Sequence, residues 1–194
     1  MPFFYIFIYP ITEEGGFVMD KNIVLIGMPG CGKSTVGVVL AKITGFRFLD
    51  SDLVIQEKEG RLLSEIIAQE GLESFARIEN RINLGINVKK TVIATGGSVI
   101  YGKEAMKHFK RTGVIVYIRL PYEQIKTRLG DLTKRGVAIR KGQTLKELYD
   151  ERAPIYEEYA DIIVDEENMD IARTALYIRD MIKQLASEEN NDNE

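Results

Sequence analysis

Residues 27–34 read Gly-Met-Pro-Gly-Cys-Gly-Lys-Ser, and no other stretch restricts the fold as tightly. Gly27, Gly30 and Gly32 stand where a Cβ would block a tight turn and the close approach of backbone to a ligand. An apolar run at 23–26 leads into the loop. A stretch rich in Val36, Val38, Val39, Leu40 and Ile43 leads out of it and is closed by Gly45. Strand, glycine loop and helix in that order build a cup of backbone N–H groups at a helix N-terminus, a natural cradle for phosphate oxygens. The pattern G-x-x-x-x-G-K-[ST] adds Lys33, which reaches the outer phosphates, and Ser34, whose hydroxyl suits magnesium. The expectation is a nucleoside triphosphate held by Gly30, Cys31, Gly32, Lys33, Ser34 and Thr35, with Cys31 serving as a small loop residue.

The rest of the chain alternates short apolar runs with helical stretches. Runs at 46–49, 91–95, 114–118 and 162–164 join 23–26 as five candidate strands. Helices are expected at 62–69 and 74–87 with Gly71 between them, around Met106 and Phe109, and at 121–129, 145–159 and 169–185. This alternation predicts a three-layer α/β/α sandwich on a five-stranded parallel sheet. Ligands of such sheets bind beyond the carboxyl ends of the strands, which directs attention to 27–34, 50–52 and 96–98.

Composition narrows the alternatives. The 194 residues suit one domain with a real core. At 45% hydrophobic and 28% charged the chain is not a disordered one. Its formal charge of −3, with no basic block, excludes a strongly basic nucleic-acid binder. One Cys and one His cannot form an internal disulfide or a four-ligand zinc site, so a reducing cytoplasm is expected. His108, beside Lys107, reads as surface filler. The apolar aromatic start is too short to span a membrane and lacks the basic region of a secretory signal. Residues 1–18 are expected to be an extension, either an extra edge segment or not native. The domain proper is expected at 19–186, with a mobile lid at about 130–143 carrying Lys134, Arg135, Arg140 and Lys141. Residues 187–194 read as an acidic disordered tail.

Asp50 and Asp52 lie one residue apart just past the second strand, so both point the same way in an extended chain. One carboxylate can hold a magnesium-bound water while the other contacts and deprotonates an acceptor hydroxyl, because phosphoryl transfer asks chiefly for positioning and charge neutralisation. The competing reading makes Asp52 a helix cap.

Together these residues resemble the shikimate kinase family of small P-loop kinases. The likeness runs from about 22 to 186. It rests on the phosphate loop, Phe48 to Asp52, Phe75 with Glu79, Ala94 to Gly97, Arg152 to Tyr156, and the seven-residue spacing of Arg128 and Arg135. The resemblance implies a P-loop kinase fold, ATP and Mg2+ as cofactors, and shikimate as the small-molecule acceptor, in aromatic amino acid biosynthesis and as a monomer. It also implies roles: Lys33, Ser34 and Asp50 on phosphates and magnesium, Asp52 activating the acceptor hydroxyl, and Gly96 and Gly97 permitting close approach. Arg152 would pair with the acceptor's carboxylate, Arg128 would lie against the adenine, and Arg135 would close in on the transferring phosphate, making Lys33, Asp52 and Arg135 the catalytic set. Two positions depart from the pattern. Ala76 stands where the family usually has an arginine, and Ser98 where it prefers a third glycine. Arg77 does not replace the missing side chain, since one helical step turns about 100°. Loss of one charge-assisted hydrogen bond costs roughly 1.5–3 kcal/mol. Two alternatives therefore stay open: a kinase for a sugar acid, hydroxy amino acid or nucleoside monophosphate, and a nucleotide-binding regulator without transfer.

Overall fold

The structure, a computed structural model, describes residues 20–129, 137–167 and 169–191. Five parallel strands form one sheet in the order β2-β3-β1-β4-β5. They are β1 (Asn22–Ile26), β2 (Arg47–Asp50), β3 (Thr91–Ala94), β4 (Gly113–Arg119) and β5 (Ile162–Asp165). β1 and β3 are buried at every position, as expected of apolar runs covered on both faces. β5 instead alternates buried and exposed residues at the sheet edge. The helices are α1 (Lys33–Thr44), α2 (Ser51–Glu59), α3 (Leu63–Leu84), α4 (Lys103–Thr112), α5 (Tyr122–Leu129), α6 (Leu145–Tyr159) and α7 (Ile171–Asn191). α1 packs on α7, and α3 on α4. The sandwich expected from the alternating pattern is thus the observed fold.

One large apolar core surrounds the sheet. A smaller cluster of Ile55, Ile66, Phe75 and Ile82 joins α2 to α3. That second cluster matters for the site, because it fixes the α3 turn carrying Phe75 and Glu79 beside the strand tips. From β1 the chain crosses to the edge strand β2, returns to β3 beside β1, and then passes to β4 and β5 on the other side. Such a reversal leaves a crevice at the carboxyl ends of the strands.

Several sequence expectations are corrected. β2 ends at Asp50, one residue later than expected, and α2 follows at once. Its cap is Asp50, whose carboxylate accepts from the Asp52 N–H at 3.0 Å, so Asp52 is not the cap. The helices expected on either side of Gly71 form one element with a kink at that residue (φ 80°, ψ 170°). His108 is buried, not surface filler: its Nε2 lies 2.8 Å from the Ile86 carbonyl, on the face α4 turns inward. α7 runs to Asn191, into the expected disordered tail. No Gly or Pro interrupts that stretch, and the Gln184 amide donates to Glu188 one turn on at 3.0 Å. Residues 1–18 and 192–194 lie outside the described residues, as do Lys134 and Arg135 of the expected lid. The remainder of that segment, 137–143, is described: Val137 and Ile139 pack against the main core, and Arg140 pairs with Glu151 at 3.0 Å.

Candidate active site

The loop between β1 and α1 takes the shape its glycines permit. Gly30 and Gly32 have φ of 80° and 93°, in the left-handed region that side chains avoid. Lys33 is 7% exposed, and its Nζ folds back onto the loop, donating to Gly27 O at 2.9 Å and Met28 O at 3.0 Å. Ser34 and Thr35 are exposed at the mouth. Cys31 offers the site only backbone, because its thiol is buried 3.8 Å from Lys33 Nζ. Burial pushes that thiol's pKa up, against the pull of Lys33.

Two strand tips complete the near wall. Asp50 accepts from Ser34 Oγ at 2.7 Å through one oxygen and from the Asp52 N–H through the other. Both of its oxygens are therefore committed, and it ties β2 to the phosphate loop. Thr95 donates to the Leu25 carbonyl at 2.9 Å, holding the β3 tip beside β1. The cleft between these tips has a volume of about 370 Å³, bounded by the phosphate loop, Asp52, Glu79, residues 95–98 and Arg152.

The far wall is assembled from distant parts of the chain. Asp52, in the first turn of α2, carries an Oδ1 with no hydrogen bond among the described residues. Burial and then the charge of Asp50 raise its pKa to about 6, with Lys33 pulling the other way. Glu79, from α3, is 2% exposed and is pushed to about 7, first by burial and then by Asp52, while a Ser98 hydrogen bond, Arg152 and Lys33 oppose the rise. Gly96 separates these two carboxylates: a Cβ there would lie 2.5 Å from Glu79 Oε1 and 2.7 Å from Asp52 Oδ1. Glycine at 96 is what leaves the space open.

Arg152, on α6, is 1% exposed. Its Nη2 donates to Ala138 O at 2.7 Å and its guanidinium stacks 5.4 Å over the Tyr101 ring. A Cβ on Gly97 would come within 3.1 Å of its Nη1, and Tyr156 anchors the Gly97 carbonyl at 2.5 Å. Ala76 adds nothing polar, and Arg77 turns to solvent, bonded to Glu73 and Ser74 at 2.7 and 3.0 Å. Arg128 lies beside Gly30 and pairs through Nη1 with both oxygens of Glu166, at 3.3 and 3.4 Å.

The structure therefore gathers Gly30, Gly32, Lys33, Ser34, Thr35, Asp52, Gly96, Gly97 and Arg152 around one cleft, with Asp50 just behind Ser34. It sets Arg128 at the rim of the phosphate loop. Arg135 lies outside the described residues. Two groups escaped the sequence reading. Glu79 was noted only as part of a motif, and Glu166 not at all. Glu166 follows β5 directly, so the strand-tip rule that singled out Asp50 and Gly96 would have reached it too. Chemically, the cleft offers a cup for phosphates and hydroxyl and carboxylate oxygens at its mouth. Deeper in, it offers a buried carboxylate poised below neutrality and a dry guanidinium suited to a carboxylate.

Residues 29–183 match the profile of the family described as shikimate kinase. The chain is similar to the shikimate kinase of Thermodesulfovibrio yellowstonii, 41% identical over 152 residues, covering 77% of this chain and 87% of that one. It is 34% identical to the shikimate kinase of Persephonella marina over 148 residues, or 76% and 90% of the two chains. Among solved structures it resembles the shikimate kinase of Acinetobacter baumannii in complex with shikimate, with a TM-score of 0.78 at 31% identity over 87% of this chain and 96% of that one. The Aquifex aeolicus shikimate kinase gives a TM-score of 0.70 at 31% identity, over 88% and 98%.

Proposed function

The chain belongs to the shikimate kinase family, and from that premise we propose that its cleft transfers the γ-phosphoryl group of ATP to a hydroxyl of shikimate. It is a phosphotransferase with an alcohol acceptor. The observation that carries the acceptor assignment is the far wall. A buried carboxylate oxygen of Asp52 with no partner among the described residues and a buried guanidinium face the same space as the phosphate loop. A hydroxy acid would satisfy both.

In this reading the triphosphate lies in the cup of loop N–H groups, and Lys33 exchanges the Gly27 and Met28 carbonyls for phosphate oxygens. Ser34 and Asp50 fit magnesium. Their side chains are 2.7 Å apart at the loop mouth, both are hard oxygen donors, and magnesium in such sites takes few protein ligands besides the phosphates. When bound, the ion neutralises charge on the phosphates. Asp52, held near pH 6, orients the attacking hydroxyl and takes its proton. Gly96 and Gly97 let the acceptor approach backbone, and Arg152 grips its carboxylate. Arg128, set by Glu166, lies against the nucleobase, and Arg135 supplies positive charge to the transferring group. We extend the reading to a cytoplasmic monomer in the route to aromatic amino acids, which the unpaired Cys31 and the single-chain cleft support.

The test is coupled ADP release with ATP, magnesium and shikimate, with product mass checked. No ADP above the acceptor-free rate would remove shikimate as the acceptor. One observation favours a second reading: with Ala76 in place and Arg77 facing solvent, the acceptor side has one guanidinium fewer than the family pattern. A different small hydroxy acid would then turn over faster than shikimate in an acceptor screen.

A further inference from the structure

One carboxylate that does not line the cleft gathers three separate stretches of chain. Glu151 Oε1 accepts from the Tyr101 hydroxyl at 2.5 Å and from Arg140 Nη2 at 3.0 Å, and its Oε2 accepts from Gln143 Nε2 at 2.8 Å. Tyr101 ends the short turn Val99–Tyr101 that follows the β3 tip, Arg140 and Gln143 belong to the stretch 137–143, and Glu151 itself lies on α6. The next residue, Arg152, lines the cleft instead, because one helical step turns about 100°. Arg152 is steadied by the Tyr101 ring, 5.4 Å away, and by the Ala138 carbonyl, 2.7 Å from Nη2. Both supports sit on stretches that Glu151 fastens. Arg152 Nε makes no hydrogen bond among the described residues, so that ring and that carbonyl are what set the plane of the guanidinium. Packing alone fixes neither of them: Tyr101 is 39% exposed, and residues 137–139 are only half-buried. An exposed pair such as Arg140 with Glu151 holds little by itself. Three donors on one ionised carboxylate form a network of charge-assisted bonds that holds more than its members taken singly.

We propose that Glu151 is a positioning residue: by clasping Tyr101, Arg140 and Gln143 it keeps the Tyr101 ring and the Ala138 carbonyl against Arg152, and so aims the guanidinium at the acceptor's carboxylate. The proposal deepens the acceptor assignment above and rests on it, since Arg152 has its task from that reading. Glu151 itself touches no substrate. Its charge is the working part, because all three partners donate and only a carboxylate accepts through both oxygens. The Tyr101 hydrogen bond, opposed by burial and helped by Gln143 and Arg140, holds the Glu151 carboxyl below its ordinary value, so it is ionised near neutrality. α6 does not need the clasp in order to form, because Thr144 caps its start through reciprocal bonds with Glu147.

The test uses the full chain, calorimetric binding, and turnover by ADP release. The probes are shikimate and its primary amide, which keeps the ring and hydroxyls but carries no carboxylate charge. The unsubstituted protein should bind the amide about 10- to 100-fold more weakly than shikimate, the range of a hydrogen bond to a charged group. Glu151→Ala should raise the KM for shikimate about 5- to 30-fold, the range of one cation–π contact or hydrogen bond. It should leave the KM for ATP unchanged and bring the two probes within about threefold of each other. Tyr101→Phe, which removes one donor and keeps the ring, should narrow the ratio by about 2- to 10-fold. Added to Glu151→Ala it should do nothing further, because the two share one contact. A purely structural role would weaken both probes alike and leave their ratio unmoved. Undiminished discrimination in Glu151→Ala therefore overturns the proposal and leaves the acceptor reading intact. So does a full extra effect of Tyr101→Phe in the double variant. Should Glu151→Ala fail to fold, Tyr101→Phe decides alone, and an unchanged ratio there overturns the clasp. Equal binding of both probes by the unsubstituted protein would remove Arg152 as the carboxylate grip and the proposal with it. Discriminating binding without ADP release would sink the proposed reaction and leave the clasp standing.

Discussion

Replacing Glu79 by glutamine should make the ligand-free protein more stable, by an amount that grows with pH. Burial, then the nearby Asp52 charge, raises this carboxylate from the ordinary 4.5 to about 7. A group whose folded value lies above its unfolded one contributes stability fully present below the unfolded value and lost as pH rises through the folded value. For Glu79 that window runs from 4.5 to about 7. The displacement corresponds to about 3 kcal/mol once both states are ionised. Glutamine has no charge to desolvate, so it escapes the loss. Linkage puts the gain below about 1 kcal/mol at pH 5 and near 3 kcal/mol at pH 8. Any fixed cost of burying the amide shifts both values equally, and Asp52 titrates in both proteins. Urea denaturation at the two pH values, at one ionic strength, reads the difference directly. Thermal midpoints should separate by roughly 6–12 °C at pH 8 for a domain of this size. A gain of equal size at both pH values, or a larger one at pH 5, would refute the reasoning, because it would mean the buried carboxylate does not titrate upward.

Other perturbations probe the rest of the cleft. Lys33→Ala should lower turnover about 100-fold or more with an unchanged circular dichroism spectrum; near-normal turnover would remove the phosphate-loop assignment. Because Asp52 is raised to about 6 by burial and Asp50 and must be ionised to accept a proton, kcat/KM should fall about tenfold per pH unit below 6 and level off above it. That limb should vanish in Asp52→Asn, whose residual rate should be about 100- to 10,000-fold lower. Ala76→Arg should place a guanidinium one turn from Glu79 and lower the KM for shikimate by about tenfold. An unchanged or higher KM would favour an acceptor other than shikimate.

How far the site could be read in advance depended on whether its parts are neighbours in sequence. The phosphate loop is contiguous, and its strand, glycines and helix carry their geometry with them, so Lys33 and Ser34 stand where the pattern placed them. The sheet was equally legible, because apolar runs such as 91–95 have few other ways to be buried. Asp50 was only half legible. Its place past β2 suggested chemistry, but that one carboxylate would both receive the Ser34 hydroxyl and cap α2 depends on two contacts visible only in three dimensions. His108 misled because its charged neighbours outweighed the inward face of α4, and the chain after Leu185 misled because polar composition hides a helix that meets no breaker.

The acceptor wall is a different kind of object. Asp52, Glu79, Gly96 and Arg152 come from α2, α3, the loop after β3 and α6, and no local spacing relates them. Sequence can bring such residues together only through likeness to a family, and likeness is silent where a chain departs from the pattern. Ala76 and Ser98, read singly, looked like two unrelated losses on the acceptor side. In space they flank one cleft: Ala76 adds no guanidinium on the α3 side, and Ser98 lines the wall beside Glu79. A deletion of charge paired with an added hydroxyl on the same wall is what a rebuilt acceptor site would carry, whereas a decayed one needs no such pairing. The prediction that separates the two is combinatorial. If the pair is a unit, Ala76→Arg with Ser98→Gly should restore acceptor affinity beyond the product of the single effects, whereas independent losses would simply add.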